Sequence, residues 1–168
     1  MKLSRGLLWG LVVGLAVGLV VAVISYMGLM EVWDAYLNYI YQVVYSTMVK
    51  TGVTPAEAER SAQLAVNITK QWLIPSIVIG AVALFIIIFI VLGVVMAATW
   101  ERLKMMWYGK GALFAVALLM ILDLPRLLVT PPPDLPRPPT PSVIYSVLEA
   151  VAHFVGPLAL AWLLNKAK

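Results

Sequence analysis

Two side chains able to do acid–base or metal chemistry lie four residues apart near the end of the chain. Glu149 and His153 fall in the last apolar stretch, and this spacing places them on one face of a helix. An imidazole and a carboxylate can bind a divalent metal ion or relay a proton. The pair is the first candidate for a metal or proton site. A structural hydrogen bond, between the two or to another helix, is the alternative.

Three other acidic residues flank apolar stretches. Asp123 ends one stretch and is followed by Pro125 and Arg126, a break typical of some transport sites, although a local ion pair explains the same residues. Glu31 and Asp34 follow the first stretch, where they would either form an outer vestibule for cations or lie solvated. Asp123 therefore joins the candidate metal or proton residues.

The sequence contains few of the residues and motifs that enzymes use for catalysis. The chain of 168 residues contains no cysteine and one histidine, which excludes thiolate catalysis, disulfides and iron–sulfur ligation. No Walker, G-x-S-x-G or zinc-protease motif occurs. We expect no enzyme and no resident cofactor; a divalent cation enters only as a transported substrate.

Composition indicates that the solvent around these residues is lipid. Hydrophobic residues make up 62% of the chain, charged residues 12%, and the mean hydropathy is +0.96, whereas soluble proteins carry about 25% charged residues. The net charge of +4 does not indicate nucleic-acid binding, because the basic residues lie at the ends of apolar runs. The sequence predicts an all-α polytopic membrane protein with the lipid bilayer as partner and no nucleic acid.

Four apolar stretches are candidates to cross the bilayer, which takes about 20 residues per helix. They cover about 6–30, 73–99, 111–129 and 143–164, the third being short or broken. Trp72 and Trp100 bracket the second stretch like interfacial anchors. A proline-rich outer loop, 130–142, joins the last two.

Basic residues predict the orientation of these spans. If four spans alternate, the following basic residues fall on one side: Lys2, Arg5, Arg102, Lys104, Lys110, Lys166 and Lys168. The positive-inside rule then predicts a cell-membrane protein with both termini in the cytoplasm. Asn67 begins a glycosylation sequon on the opposite, exported side.

The exported segment 31–72 is predicted to be a helical hairpin. Apolar and aromatic residues recur at helical spacing over 33–48, and Gly52 provides a stop. Residues 54–57, Thr-Pro-Ala-Glu, form a capping box that starts the second helix. This helix is expected to meet the second span at Pro75, with a kink or a separation there.

One face of the first span has almost no side chains. Gly6, Gly10, Gly14 and Gly18 recur at every fourth position, and Ala22 extends the pattern by a turn. In lipid such a face lets two helix backbones approach closely. The stripe therefore predicts helix packing, either within the chain or against a second copy.

Two stretches of sequence resemble a known family. The run 5–10, Arg-Gly-Leu-Leu-Trp-Gly, continues through the glycine stripe to Glu31, and 132–136, Pro-Pro-Asp-Leu-Pro, lies between later spans. In both respects the chain resembles the CbtA-type family of predicted cobalt transporters, whose members are usually longer by one span and tend to have glycine where Arg137 stands. The resemblance implies a permease component for a divalent cation such as cobalt.

The sequence favours two functions; a third, an interfacial receptor or viral envelope protein that uses the outer hairpin, has no specific feature in its support. The first is a divalent-cation permease component whose site is the acidic and histidine residues of the last span. The second is a non-catalytic assembly subunit of a larger membrane complex, indicated by the glycine stripe and the scarcity of polar side chains within the spans. The expected partner is a second copy of the chain or a different membrane protein.

Overall fold

The structure is a computed structural model that describes residues 2–125 and 136–167. Within these ranges the chain forms helices and no strands, which confirms the predicted all-α class. The helices are α1 (Leu3–Glu31), α2 (Trp33–Lys50), α3 (Pro55–Thr99), α4 (Trp107–Leu122) and α5 (Val143–Lys166).

Three of the described helices, α1, α3 and α5, are long and apolar enough to cross a membrane. The mean hydropathy of their most apolar windows is 2.8, 3.3 and 1.8, which indicates a membrane protein. The helix α4 is also apolar but has 16 residues, about 24 Å at 1.5 Å per residue, against about 30 Å of hydrocarbon. It ends just before Asp123, and residues 126–129 of the predicted third span lie outside the described residues.

The glycine stripe, Gly6, Gly10, Gly14 and Gly18, lies against α3 of the same chain. Gly6 faces the backbone of Gly93 and Gly18 faces that of Val82, so α1 and α3 run antiparallel. Ala22, 2% exposed, lies on the same buried side of α1. The glycine stripe therefore packs within the chain, against α3, and not against a second copy.

The helix α3 is continuous for 45 residues, about 67 Å, or roughly twice the thickness of the hydrocarbon. Of the two outcomes expected at Pro75, the separation into two helices is wrong, because this proline lies inside α3, and the kink stays a prediction. A proline removes one backbone N–H and displaces the carbonyl four residues earlier. Pro75 is exposed near the start of the apolar part of α3, where water can bond that carbonyl, so the helix continues.

The helix α2 folds back along the first part of α3 and completes the helical hairpin. It ends just before Gly52, whose φ of 87° is the left-handed conformation that glycine adopts readily. Thr54 then caps α3: its Oγ1 accepts from the Glu57 N–H at 3.4 Å and donates to Glu57 Oε2 at 2.7 Å. Pro55 occupies the first helical position. The predicted stop at Gly52 and the N-cap at Thr54 are confirmed, and the Glu57 carboxylate accepts from the Thr54 hydroxyl.

The helix α5 packs against both α1 and α3, and α4 packs along α5. Both contacts depend on glycines. A Cβ on Gly156 of α5 would lie 3.0 Å from Val17 of α1 and would overlap the ring of Phe89 of α3. On α4, a Cβ on Gly111 would lie 3.0 Å from the Cα of Leu158. Small residues therefore set the helix separations throughout the bundle.

Replacing Gly14 by alanine should force α1 and α3 apart. The added Cβ would lie 2.7 Å from the Phe85 carbonyl oxygen and 2.8 Å from the Ile86 Cα, both backbone atoms. We expect a loss of about 1–3 kcal/mol in the free energy of unfolding, the usual cost of overpacking, measured by SDS titration of the protein in detergent micelles.

The matched control is Gly80→Ala in α3, where nothing lies within 4 Å of the new Cβ. Alanine is favoured over glycine in a helix by about 1 kcal/mol, so this variant should be as stable as the wild type or more so. Equal destabilisation by the two changes would contradict close packing along the glycine stripe.

Candidate functional site

His153 and Asp123 connect α5 to the end of α4. His153 Nδ1 lies 2.8 Å from Asp123 Oδ2, and the two side chains are 1% and 23% exposed. With a carboxylate as its partner, Nδ1 carries a proton and donates it. The imidazole also stacks on Phe85 of α3, with ring centroids 5.2 Å apart. One side chain thus contacts residues of two further helices.

The other ring nitrogen of His153 has a different environment. Nε2 is buried and has no hydrogen-bond partner among the described residues. Many metal-binding histidines have this arrangement: a carboxylate accepts a hydrogen bond from one ring nitrogen and so fixes the tautomer, and the second nitrogen keeps its lone pair for the metal. Chemically, Nε2 can accept a hydrogen bond, take a proton or bind a cation.

Glu149 connects α5 to α1. Its Oε1 accepts a hydrogen bond from Ser25 Oγ at 2.7 Å. The two residues that the sequence placed on one face, Glu149 and His153, therefore each have a partner on another helix. Within residues 2–125 and 136–167, no three His, Asp or Glu side chains form a group that could hold a metal ion.

Glu31 bonds to the start of α5. Its Oε2 accepts from the backbone N–H of Ser142 at 3.1 Å, and Ser142 is the N-cap residue of α5. A carboxylate at this end stabilises a helix through unpaired N–H groups and the helix dipole. Asp34 is exposed in the first turn of α2, where its charge acts in the same way on that helix. Asn67 is exposed on α3, and its glycosylation stays a prediction.

Sequence reasoning missed a buried lysine at the opposite end of the bundle. Lys110, 5% exposed, donates from Nζ to the Trp100 carbonyl oxygen at the end of α3 and lies 4.3 Å from the centroid of the Trp100 ring. A cation is favoured at a helix C-terminus and over an indole face. Trp100 is 1% exposed, unlike the expected interfacial anchor, whereas Trp72 is 64% exposed.

Comparison of the chain with protein-family models, with curated proteins and with solved structures finds no match. The resemblance to the CbtA-type family of predicted cobalt transporters therefore rests on the two sequence stretches alone. Residues 132–135 of the second stretch lie outside the described residues. Function has to be inferred from the geometry of the bundle and the hairpin.

A double-mutant cycle on Asp123→Ala and His153→Ala should show positive coupling. Hydrogen bonds between membrane helices are worth about 0.6 kcal/mol on average, with a maximum near 1.7, and we expect the upper part of this range because the pair is buried. The free energies of unfolding of both single variants and the double variant give the coupling.

The control cycle combines His153→Ala with Thr54→Ala, a capping residue of the hairpin that shares no partner with His153. The two effects should add to within about 0.5 kcal/mol. Additive behaviour of Asp123 and His153 would show that their contact contributes nothing to the fold.

Proposed function

We propose that the protein is an integral membrane protein with four membrane-spanning segments and cytoplasmic termini, and that it serves as a non-catalytic subunit of a larger membrane complex. It contacts its partner through the exported helical hairpin. Three features support this function: the course of the chain, the use of its polar side chains and the surface of the hairpin.

The course of the chain supports four crossings. Gly6 near the start of α1 lies against α3 near its end, and Gly111 near the start of α4 lies against Leu158 of α5. At the other end of the bundle, Glu31 bonds to Ser142. Between Trp107 and Ser142 the chain therefore passes from one end of the bundle to the other, and α4 covers part of this path. The basic residues around the first end favour the cytoplasm.

The polar side chains within the bundle support an architectural role. Ionisable groups at membrane depth are costly, so their partners indicate their use. His153 bonds to Asp123, the residue that follows α4, and Glu149 accepts from Ser25 on α1. These bonds hold α5 to both neighbours, as expected of a subunit whose task is to keep a fixed shape.

The surface of the hairpin is the single observation that carries the proposal. Leu64, Ile68 and Trp72, which we call the hairpin stripe, recur at every fourth residue of α3 and are 61%, 51% and 64% exposed. The antiparallel register of α1 and α3, extended along both helices, places Glu31 roughly level with Thr69. Leu64 thus lies beyond the end of α1 and Ile68 lies level with it, and exposed apolar residues at this end of the bundle mark a contact surface.

A photo-cross-linking amino acid at Ile68 tests this proposal in the membranes where the protein is made. We expect one dominant adduct with a different membrane protein, identified by mass spectrometry, because the stripe presents apolar area for a partner helix. The same amino acid at Asn38, which is exposed on α2, should give no such adduct. An adduct with a second copy of the chain, or none at Ile68, would contradict hetero-assembly.

A second function, a divalent-cation permease component, is favoured by one observation. His153 Nε2 is buried without a partner among the described residues. Asp123 orients the imidazole ring in the way that carboxylates orient many metal-binding histidines. A nitrogen ligand suits cobalt and similar cations, which the resemblance to the CbtA-type family also implies. The cation would here be cargo.

Proteoliposomes loaded with a cobalt-sensitive dye distinguish the two functions. If the chain is a permease, Co²⁺ influx should exceed that of empty liposomes and should fall at least about tenfold in His153→Gln, which lacks the imidazole lone pair. Ser25→Ala, which leaves His153 and Asp123 intact, should retain the influx. Wild-type influx equal to that of empty liposomes would contradict permease activity and leave assembly as the function.

A further inference from the structure

One end of the bundle carries an excess of basic side chains. We call it the basic end and define it by its exposed or half-exposed cations: Lys2, Arg5, Arg102, Lys104 and Lys166. They come from three separate parts of the chain, namely the start of α1, the loop after α3 and the end of α5. Glu101 is the one acidic residue that the described part of the chain has there.

Packing brings these three parts to the same end. Gly6 of α1 faces Gly93 and Ala97 near the end of α3. The helix α5 runs antiparallel to α1, since Gly28 lies near Tyr145 and Val17 near Gly156, so the end of α5 lies beside the start of α1. The cations therefore surround one end of the bundle on several sides.

These cations are available to a ligand. Arg102 and Lys104 are exposed, and neither they nor Arg5 forms a salt bridge with the described residues. Lys166 is exposed as well, with its Nζ 4.0 Å from the centroid of the Trp162 ring. By contrast, Lys110 is buried against Trp100 and does not belong to the basic end.

The neighbours of the basic end are typical of a membrane interface. Met105 and Met106 directly follow Lys104 and are 50% and 66% exposed, and Tyr108 is 54% exposed. Trp162 is 42% exposed beside Lys166. Apolar and amphipathic side chains next to cations favour the level where the acyl chains meet the headgroups.

The hairpin at the other end has a different charge distribution. It contains three cations, Lys50, Arg60 and Lys70, and four acidic residues, Glu31, Asp34, Glu57 and Glu59. Its net charge is consequently small and slightly negative. The basic end is therefore a local feature of the fold and is not a consequence of the overall charge of the chain.

We propose that the basic end binds the headgroups of anionic phospholipids, such as phosphatidylglycerol, which collect around it in the cytoplasmic leaflet. Each Lys or Arg near an anionic lipid surface strengthens binding by roughly fivefold at moderate ionic strength. Several cations around one end of the bundle can hold more than one headgroup, while the exposed methionines and Trp162 lie against the acyl chains. This binding involves the end opposite the hairpin and depends on neither proposed function; only its place in the cytoplasmic leaflet rests on the proposed orientation of the termini.

The test uses two triple variants that remove the same number of charges from opposite ends. The basic-end variant is Arg102→Gln, Lys104→Gln and Lys166→Gln; the hairpin variant is Lys50→Gln, Arg60→Gln and Lys70→Gln. Each protein is placed in nanodiscs with equal amounts of phosphatidylcholine and phosphatidylglycerol and released for native mass spectrometry, which counts the lipids that stay bound. A thermal unfolding midpoint for each protein shows that both variants fold.

The wild type and the hairpin variant should retain phosphatidylglycerol over phosphatidylcholine by at least about tenfold, and the basic-end variant should lose most of this preference. Preparation in high salt should weaken the preference of the wild type, because exposed charges are screened. Equal retention of the two lipids by the wild type would overturn the proposal. An equal loss of preference in the two variants would overturn it too, since total charge would then explain the binding.

Discussion

The close approach of α1 to α3 along the glycine stripe is the contact on which the rest of the bundle depends. Between membrane helices the hydrophobic effect supplies no driving force, because lipid chains are as apolar as leucine, so packing and hydrogen bonds have to hold the helices together. Gly6 and Gly18 bring the two backbones into direct contact over the depth of the bundle. Dispersion contacts are individually weak and become sufficient only when many atoms touch. Once α1 and α3 are joined, Val17 and Phe89 together form the surface that receives Gly156 of α5.

Polar bonds then determine how α4 and α5 attach to this pair. His153 bonds to Asp123 at the end of α4 and stacks on Phe85 of α3, while Glu149 bonds to Ser25 on α1. Such bonds are directional, so they select a rotation of α5 that apolar packing alone leaves loosely defined. The same rotation buries Nε2 of His153, which has no partner in the described ranges. His153 thus both holds α5 in place and carries a nitrogen that could bind a cation. The site is therefore compatible with an assembly subunit and with a permease component.

The two ends of the molecule differ in chemistry although a single helix connects them. The helix α3 runs from the capped start of the hairpin at Thr54 to the buried Trp100 at the basic end. Because α3 is continuous, it holds the hairpin in a defined position relative to the rest of the bundle. The hairpin stripe lies toward one end, and the exposed cations of the basic end lie at the other. This difference is the basis of the two proposed contacts, a partner helix at the hairpin and anionic lipid headgroups at the basic end.

Local features of the sequence were sufficient to predict the helical class and the long apolar helices. They also predicted the stop at Gly52, the cap at Thr54 and the small-residue face of α1. All of these depend on hydropathy, periodicity and capping, which act over a few residues. Tertiary structure alone decided the partners of the candidate site, since Asp123 and His153 are 30 residues apart and Ser25 and Glu149 are 124 apart. It also decided that Lys110 is buried against Trp100. Hydropathy specifies that a helix is buried in lipid but leaves its rotation and register open, and these two quantities determine which polar side chains meet.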